Sequence, residues 1–285
     1  MNNREAHAST ASRESSMSQE RPSALTGVDL TLAYDARVIS SSLNVEIPSG
    51  KVSVIIGPNA CGKSTLLRAL SRLLQPSQGT VYLSGTDIRS MAPKELARKL
   101  GLLPQSSVAP FGITVAELVG RGRFPHQKML QQWSEDDQVA VARALQATGI
   151  AGLSTRPVEE LSGGQRQRVW IALLLAQDSP LMLLDEPTTF LDISHQLEVL
   201  ELVRRLNREE GRTMALVLHD LNQACRFADH LIVMKDGDIV EQGVPSDIMT
   251  ESLLHRVFDL DARIIPDPVF GTPLVIPIGA LRSDA

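Results

Sequence analysis

The run Gly57-Pro58-Asn59-Ala60-Cys61-Gly62-Lys63-Ser64 satisfies G-x-x-x-x-G-K-[ST]. The chemistry open to that spacing is a grip on phosphate. Successive backbone N–H groups curl around the anion, and the helix N-terminus that follows adds partial positive charge. Lys63 then reaches the β- and γ-phosphates of a nucleoside triphosphate, Ser64 ligates Mg²⁺, and Thr65 offers a hydroxyl near the α-phosphate. Two adjacent carboxylates, Asp185 and Glu186, close the apolar run 181–184. Neighbours on a strand point to opposite faces, so the two can take different work. Asp185 is expected to hold Mg²⁺, directly or through water, and Glu186 to orient and deprotonate the attacking water. A third element, Leu161-Ser162-Gly163-Gly164-Gln165 followed by Arg166-Gln167-Arg168, joins a hydroxyl and two glycines to the start of an apolar helix, a second N-terminus suited to an anion. Alone, each has a plain reading: a glycine-bearing turn, acids opening a loop before Pro187, a flexible helix cap.

The flanking elements turn these patterns into a site. Residues 52–56 form a short β-branched run, apolar except for Ser53, as expected of a strand buried on both faces. The helix after the loop carries Leu66, Leu67, Leu70, Leu73 and Leu74 on one face and is expected to stop before Pro76. Upstream, Val28, Leu30 and Leu32, then Leu43, Val45 and Ile47, alternate as antiparallel strands closing at Pro48-Ser49-Gly50. Residues 118–160 become helical and polar, with Ser134 and Asp137 capping a helix that carries Val139, Ala142 and Leu145. Strand-like runs return at 181–184, 214–218 and 231–234, separated by helical stretches such as 193–207. This alternation predicts a mostly parallel sheet covered on both sides. After Gly243 come a short helix and a hairpin pairing 263–265 with 274–276.

Composition bounds what the site can serve. The chain has 285 residues with 28 Lys plus Arg against 33 Asp plus Glu, a net charge of −5, so no global basic field holds nucleic acid or an anionic bilayer. Aromatics are 4%, too few for a groove that stacks single-stranded nucleic acid. Cys61 and Cys225 form no CxxC pair, which leaves no disulfide framework or zinc site and makes a reducing cytoplasm the expected compartment. The histidines lack metal-ligand spacing. The segment 1–24 is charged and polar, without the apolar stretch of a secretory signal, and is expected to be a disordered tail. The most apolar stretch, 169–184, is broken by Gln177, Asp178 and Pro180, short of the roughly 20 residues of a membrane span.

In its order of phosphate loop, LSGGQ signature and acidic pair, the chain resembles the ATP-binding cassette family over about 25–243. The resemblance implies a P-loop NTPase core with a mostly parallel sheet, an antiparallel β subdomain and an inserted helical subdomain at about 106–160, with 244–285 as a C-terminal appendage. It implies ATP and Mg²⁺ as ligands, Tyr34 as the aromatic that stacks on adenine, and Gln105 as the glutamine that contacts Mg²⁺ and senses the transporter partner. Leu191-Asp192 resembles the dimer-contact loop, and His219 the histidine that contacts the γ-phosphate. Ser162, Gly163, Gly164 and Gln165 would cover nucleotide held by a second copy, giving a head-to-tail homodimer with two ATP molecules between the subunits. One departure is Ala60, where many members have Gly. Alanine does not freely take positive φ, yet Gly57 and Gly62 remain and no loss of nucleotide binding is expected. Cys61 sits where oriented amides can lower a thiol pKa, although a small side chain fits such a loop without any redox role.

Within the family the chain looks most like the ATPases of ferric-siderophore importers, close to the ferric enterobactin type, with cobalamin, haem or another metal chelate as the next reading. The stretches carrying this are Gly120-Arg121-Gly122-Arg123-Phe124-Pro125-His126, Ile193-Ser194-His195-Gln196 and His219-Asp220-Leu221-Asn222-Gln223-Ala224. The first reads by itself as a basic, solvated loop, and it lies where family members meet their permeases. The implied partners are integral membrane permease subunits and, indirectly, a substrate-binding protein, with this chain peripheral on the cytoplasmic face of the inner membrane. A non-transport cassette protein would carry tandem cassettes, coiled-coil or zinc insertions, or basic arms. A binding module with a dead site would be damaged at Lys63, Asp185, Glu186 or His219, and all four stand intact.

Overall fold

The computed structural model describes residues 23–35, 37–128 and 133–281. The expected tail therefore lies outside the described residues except for Ser23 and Ala24, which belong to the first strand. That strand, β1 (Ser23–Tyr34), pairs antiparallel with β2 (Arg37–Pro48). Leu43, Val45, Ile47, Leu30 and Leu32 are buried as the alternation requires. Val28 is not. Between Gly27 and Leu30 the register slips by one residue, and Asp29 takes φ 51°. This bulge turns Val28 outward, where it is exposed.

In β3 (Val52–Ile56) every residue is buried. Ile55 belongs to one hydrophobic core and Val54 and Ile56 to another, the two faces of a covered strand. α1 (Lys63–Leu70) buries Leu66, Leu67 and Leu70 but ends well before Pro76, leaving Leu73 exposed. The chain turns away at Arg72, whose φ is 63° and whose guanidinium donates to the carbonyls of Ile88 and Met91 at 2.8 and 2.7 Å. β4 (Gln78–Leu83) and β5 (Thr86–Asp87) complete an antiparallel sheet in the order β2-β1-β4-β5.

α2 (Pro93–Lys99) and β6 (Leu100–Leu103) lead to α3 (Val115–Gly120), a 3₁₀ turn at Arg121–His126, α4 (Glu135–Ala147) and α5 (Gly163–Ala176). Then come β7 (Leu181–Asp185), α6 (Ile193–Glu210), β8 (Thr213–Val217), α7 (Leu221–Phe227), β9 (His230–Lys235) and β10 (Asp238–Gly243). The main sheet runs β10-β9-β3-β8-β7-β6, parallel except for the edge strand β10. β3, β7 and β8 thus open towards the same end, where an α/β sheet places its ligands. The chain closes with α8 (Pro245–Ile248), α9 (Glu251–Phe258), β11 (Leu260–Pro266) and β12 (Pro273–Ala280), and Arg263 pairs with Ile276 and Ile265 with Leu274 as the alternation predicts. Among the described residues no helix is long and apolar enough to cross a membrane.

Two expectations for the helical part need correction. The Ser134–Asp137 capping box forms, but α4 buries Val141, Ala144 and Leu145, while Val139 and Ala142 face solvent. Asp137 sets this rotation: it is buried, and its Oδ1 accepts from Arg123 Nε at 2.8 Å. The second correction follows from the same pair. Residues 121–126 are no solvated basic loop throughout, for Arg123 is 6% exposed and also donates to Ala176 O at 2.8 Å, while His126 Nε2 lies 2.8 Å from Gln177 O.

Burial alone would push the Asp137 carboxyl up, but the bonds from Arg123 and Ser134 prevail and hold it below its ordinary value. A depressed carboxyl stabilises the fold above the ordinary carboxylate range, and that contribution fades as pH falls through the lowered pKa. Arg123→Ala strands a buried carboxylate and is expected to cost about 3–5 kcal/mol in urea unfolding at neutral pH. It should also move the acid-unfolding midpoint to higher pH. A loss under about 1 kcal/mol would mean the pair is replaceable by solvent.

Candidate active site

Between β3 and α1 the backbone folds into a cradle that only some residues permit. Gly57 has φ 156°, and a Cβ there would stand 2.2 Å from Met234 O, so no side chain fits. Gly62 caps α1 with φ 105°. Ala60, expected to resist positive φ, adopts 61° all the same. The left-handed conformation costs an alanine roughly 1–2 kcal/mol, which the surrounding loop imposes. The Lys63 side chain folds back across this cradle, its ammonium donating to Gly57 O at 2.9 Å and Pro58 O at 2.8 Å. The cradle opens into a cleft of about 240 Å³ lined by Asn59, Ala60, Cys61, Gly62, Lys63, Ser64 and Thr65, with Arg37, Ile39, Glu186 and His219 opposite.

The acidic pair splits at the end of β7. Asp185, buried, accepts from Ser64 Oγ at 2.8 Å. Burial pushes its carboxyl above the ordinary value, and the Ser64 bond offsets only part of that. Glu186 takes φ 53° and turns the other way. Its Oε1 lies 2.8 Å from His219 Nε2, and its Oε2 accepts from Gln105 Nε2 at 2.7 Å and Thr189 Oγ1 at 3.0 Å. Burial would raise this carboxyl too, but the donors, His219 foremost, outweigh it and hold Glu186 below its ordinary value. It is therefore ionised at neutral pH.

The match to the family described as ABC transporter covers residues 40–189, just over half the chain. The chain belongs to that family. It is similar to the ferric enterobactin transport ATP-binding protein FepC of Escherichia coli (strain K12), 56% identical over 90% of this chain and 94% of the relative. It is similar also to the achromobactin transport ATP-binding protein CbrD of Dickeya dadantii (strain 3937), 55% identical over 90% of this chain and 95% of that one. Among solved structures it resembles the ATP-binding cassette MJ0796, a dimer in a post-hydrolysis state bound to ADP and Pi. The TM-score is 0.68 and the identity 29%, over 77% of this chain and 98% of that chain. This chain is accordingly an ABC-type ATPase.

Not every expected residue of this ABC cassette meets the cleft. Tyr34 does not line it, although its hydroxyl accepts from Arg68 Nη1 on α1 at 3.3 Å and it pairs with Arg37, which does. Ser162, Gly163, Gly164 and Gln165 stand away from the cleft of their own chain. There Ser162 and Gln165 close a reciprocal cap on α5, with Ser162 N donating to Gln165 Oε1 at 3.0 Å. Asp192 is the N-cap of α6, accepting from the amide of His195 at 3.0 Å and lying 2.7 Å from its Nδ1, contacts that bring its carboxyl down to about 2. Sequence reasoning missed Thr189, Arg37 and Ile39. Thr189 could have been sought as the hydroxyl three residues beyond Glu186. The other two join the cleft only through β1–β2 pairing.

Cys61 fits the plainer of its two readings, a small side chain packed into the loop. It is 4% exposed, and burial pushes its thiol up despite the nearby Lys63 ammonium. Cys225 is buried as well and pushed up to about 12. A raised thiol stays neutral until pH climbs through its pKa, so iodoacetamide at pH 7.5 is expected to leave both cysteines unmodified in the folded chain and to label both in guanidinium. Mass spectrometry of the labelled peptides reads this out. Prompt labelling of folded Cys61 would restore the activated thiol.

Proposed function

We propose that this chain is the ATP-hydrolysing subunit of an importer for ferric siderophores, working as a head-to-tail pair beneath a separate membrane permease. The observation that carries the chemistry is the splitting of the acidic pair, Asp185 onto the hydroxyl of the phosphate-loop helix and Glu186 onto His219, Gln105 and Thr189. The substrate class is supported by the near-equal likeness to cassettes named for ferric enterobactin and for achromobactin.

In this reading the phosphate-loop amides and Lys63 take the β- and γ-phosphates, Lys63 exchanging its two carbonyl partners for phosphate oxygens. Thr65 adds a hydroxyl at the α-phosphate and Tyr34 a ring for the base. Ser64 and Asp185 fit Mg²⁺: both offer hard oxygen donors, and Asp185 is buried with the Ser64 hydroxyl bonded to it. When bound, the ion would neutralise charge on the β- and γ-phosphates. Glu186, ionised, orients the attacking water and accepts its proton. Gln105 and Thr189 fix the direction of that carboxylate, and His219 turns its donor to the γ-phosphate.

Ser162 and the amides near Gly164 lie off the cleft of their own chain, which favours a second copy as their client. Phe190, 98% exposed, and Ile193 flank Leu191-Asp192 with apolar surface suited to such a contact. Donors arriving from the second copy complete an electrostatic cage, each worth about 3 kcal/mol in the transition state.

Glu186→Gln is expected to keep ATP binding, abolish turnover and accumulate a dimer with Mg-ATP in light scattering. Unchanged turnover would remove Glu186 from its role. Lys63→Ala should weaken ATP binding at least tenfold, measured with a fluorescent analogue, the factor that goes with about 1.4 kcal/mol. Co-purification of the membrane partner, followed by uptake with ferric siderophores, cobalamin and haem, tests the substrate class. Uptake of cobalamin or haem alone would overturn it.

A further inference from the structure

Two of the stretches that carry the siderophore-importer resemblance are joined in space. Gln223 Nε2, on the first turn of α7, donates to Gln196 Oε1, on the first turn of α6, at 2.8 Å. Gln196 Nε2 then donates to Leu191 O at 3.0 Å. Both amides are half-buried, and helix formation asks neither for these bonds, because the two helices are capped independently by Asp192 and Asp220. Each helix opens directly after a loop of the site: α6 after Leu191-Asp192, α7 after His219.

The bridge has firm ends. On the α7 side, Asn222 exchanges two hydrogen bonds with the backbone of Val275 in β12, at 2.7 and 3.2 Å, which fixes the helix against the C-terminal hairpin. On the α6 side, the His195 ring lies against Gly164 so closely that a Cβ there would stand 2.5 Å from its Cδ2. The first turn of α6 is thus in contact with the helix that presents Ser162.

We propose that Gln196 and Gln223 are positioning residues, an amide bridge through which the loop bearing His219 and the loop bearing Leu191 and Asp192 move as one. This rests on the reading of the chain as a paired ATPase. A shift of His219 against Glu186 displaces the start of α7, the bridge passes it to Leu191, and the contact of His195 with Gly164 carries it to the surface laid on the partner's nucleotide. One subunit's own phosphate end is linked in this way to the donors it offers its neighbour.

The test uses the full-length chain. In hydrogen exchange without nucleotide, Gln223→Leu is expected to speed exchange across 189–195, a segment remote in sequence from the substitution. Unchanged exchange there overturns the bridge. With Mg-ATP, Gln223→Leu should lower kcat about fivefold, the factor that goes with one neutral hydrogen bond, while ATP affinity stays constant. Gln223→Lys, which keeps a donor towards Gln196 Oε1, should recover most of kcat. Gln196→Leu/Gln223→Leu should be no slower than Gln196→Leu, since the second change removes nothing further. Independent, multiplying losses, or a fall in melting temperature with no change in kcat, would reduce the pair to a packing detail and overturn the proposal. A wild-type chain that binds ATP but never hydrolyses it would sink the ATPase reading instead, with the exchange experiment still deciding the bridge.

Discussion

A hydrogen bond of 2.8 Å from Ser64 to Asp185 ties the helix after the phosphate loop to the end of β7. It crosses over β8, which lies between β3 and β7 in the sheet. Parallel pairing makes that meeting possible, because it delivers the ends of all three strands to one edge. The bond fixes the distance between the N-terminus of α1 and the two carboxylates at the end of β7, and the rest of the cleft is arranged around that separation. Asp185 is the natural pivot: burial makes its charge costly, so it rests where the Ser64 hydroxyl supports it.

Much of the site is held in conformations that its residues do not prefer. Ala60, Glu186 and Phe190 all take positive φ, at 61°, 53° and 63°. Each position does something that an extended or helical backbone could not. Ala60 curls the cradle, Glu186 turns its carboxylate away from that of Asp185, and Phe190 presents its ring to solvent. Such strain persists only where packing over-determines the backbone. Here the supporting frame is the sheet, with Val54, Ile56, Leu184 and Leu216 all buried.

The phosphate loop, the acidic pair and the strand-helix order were legible in the sequence because each rests on neighbours along the chain: fixed spacing in 57–64, apolar runs before Gly57 and Asp185, a Ser–Asp cap before α4. What the sequence concealed was decided across the fold. The buried face of α4 follows from Arg123 reaching Asp137, and α1 ends early where Arg72 turns to the carbonyls of Ile88 and Met91. Val28 points outward because of a bulge that alternation cannot display. Thr189 and Arg37 carry no motif of their own, and the Cys61 thiol is governed by burial that loop sequence does not reveal. Gln196 and Gln223 stood in stretches already singled out, yet their bond joins residues 27 apart and exists only in the folded chain.

The buried pair of Arg123 and Asp137 has a mechanical consequence. Together with the grip of Arg123 on Ala176 O, it welds the turn 121–126 to the far end of α5. α5 is 14 residues of unbroken helix, a rod of about 21 Å whose opposite tip is the cap at Ser162. Force applied at exposed Phe124 meets no soft joint before it enters that rod, so thrust there is transmitted along its length rather than dissipated in a pliant loop.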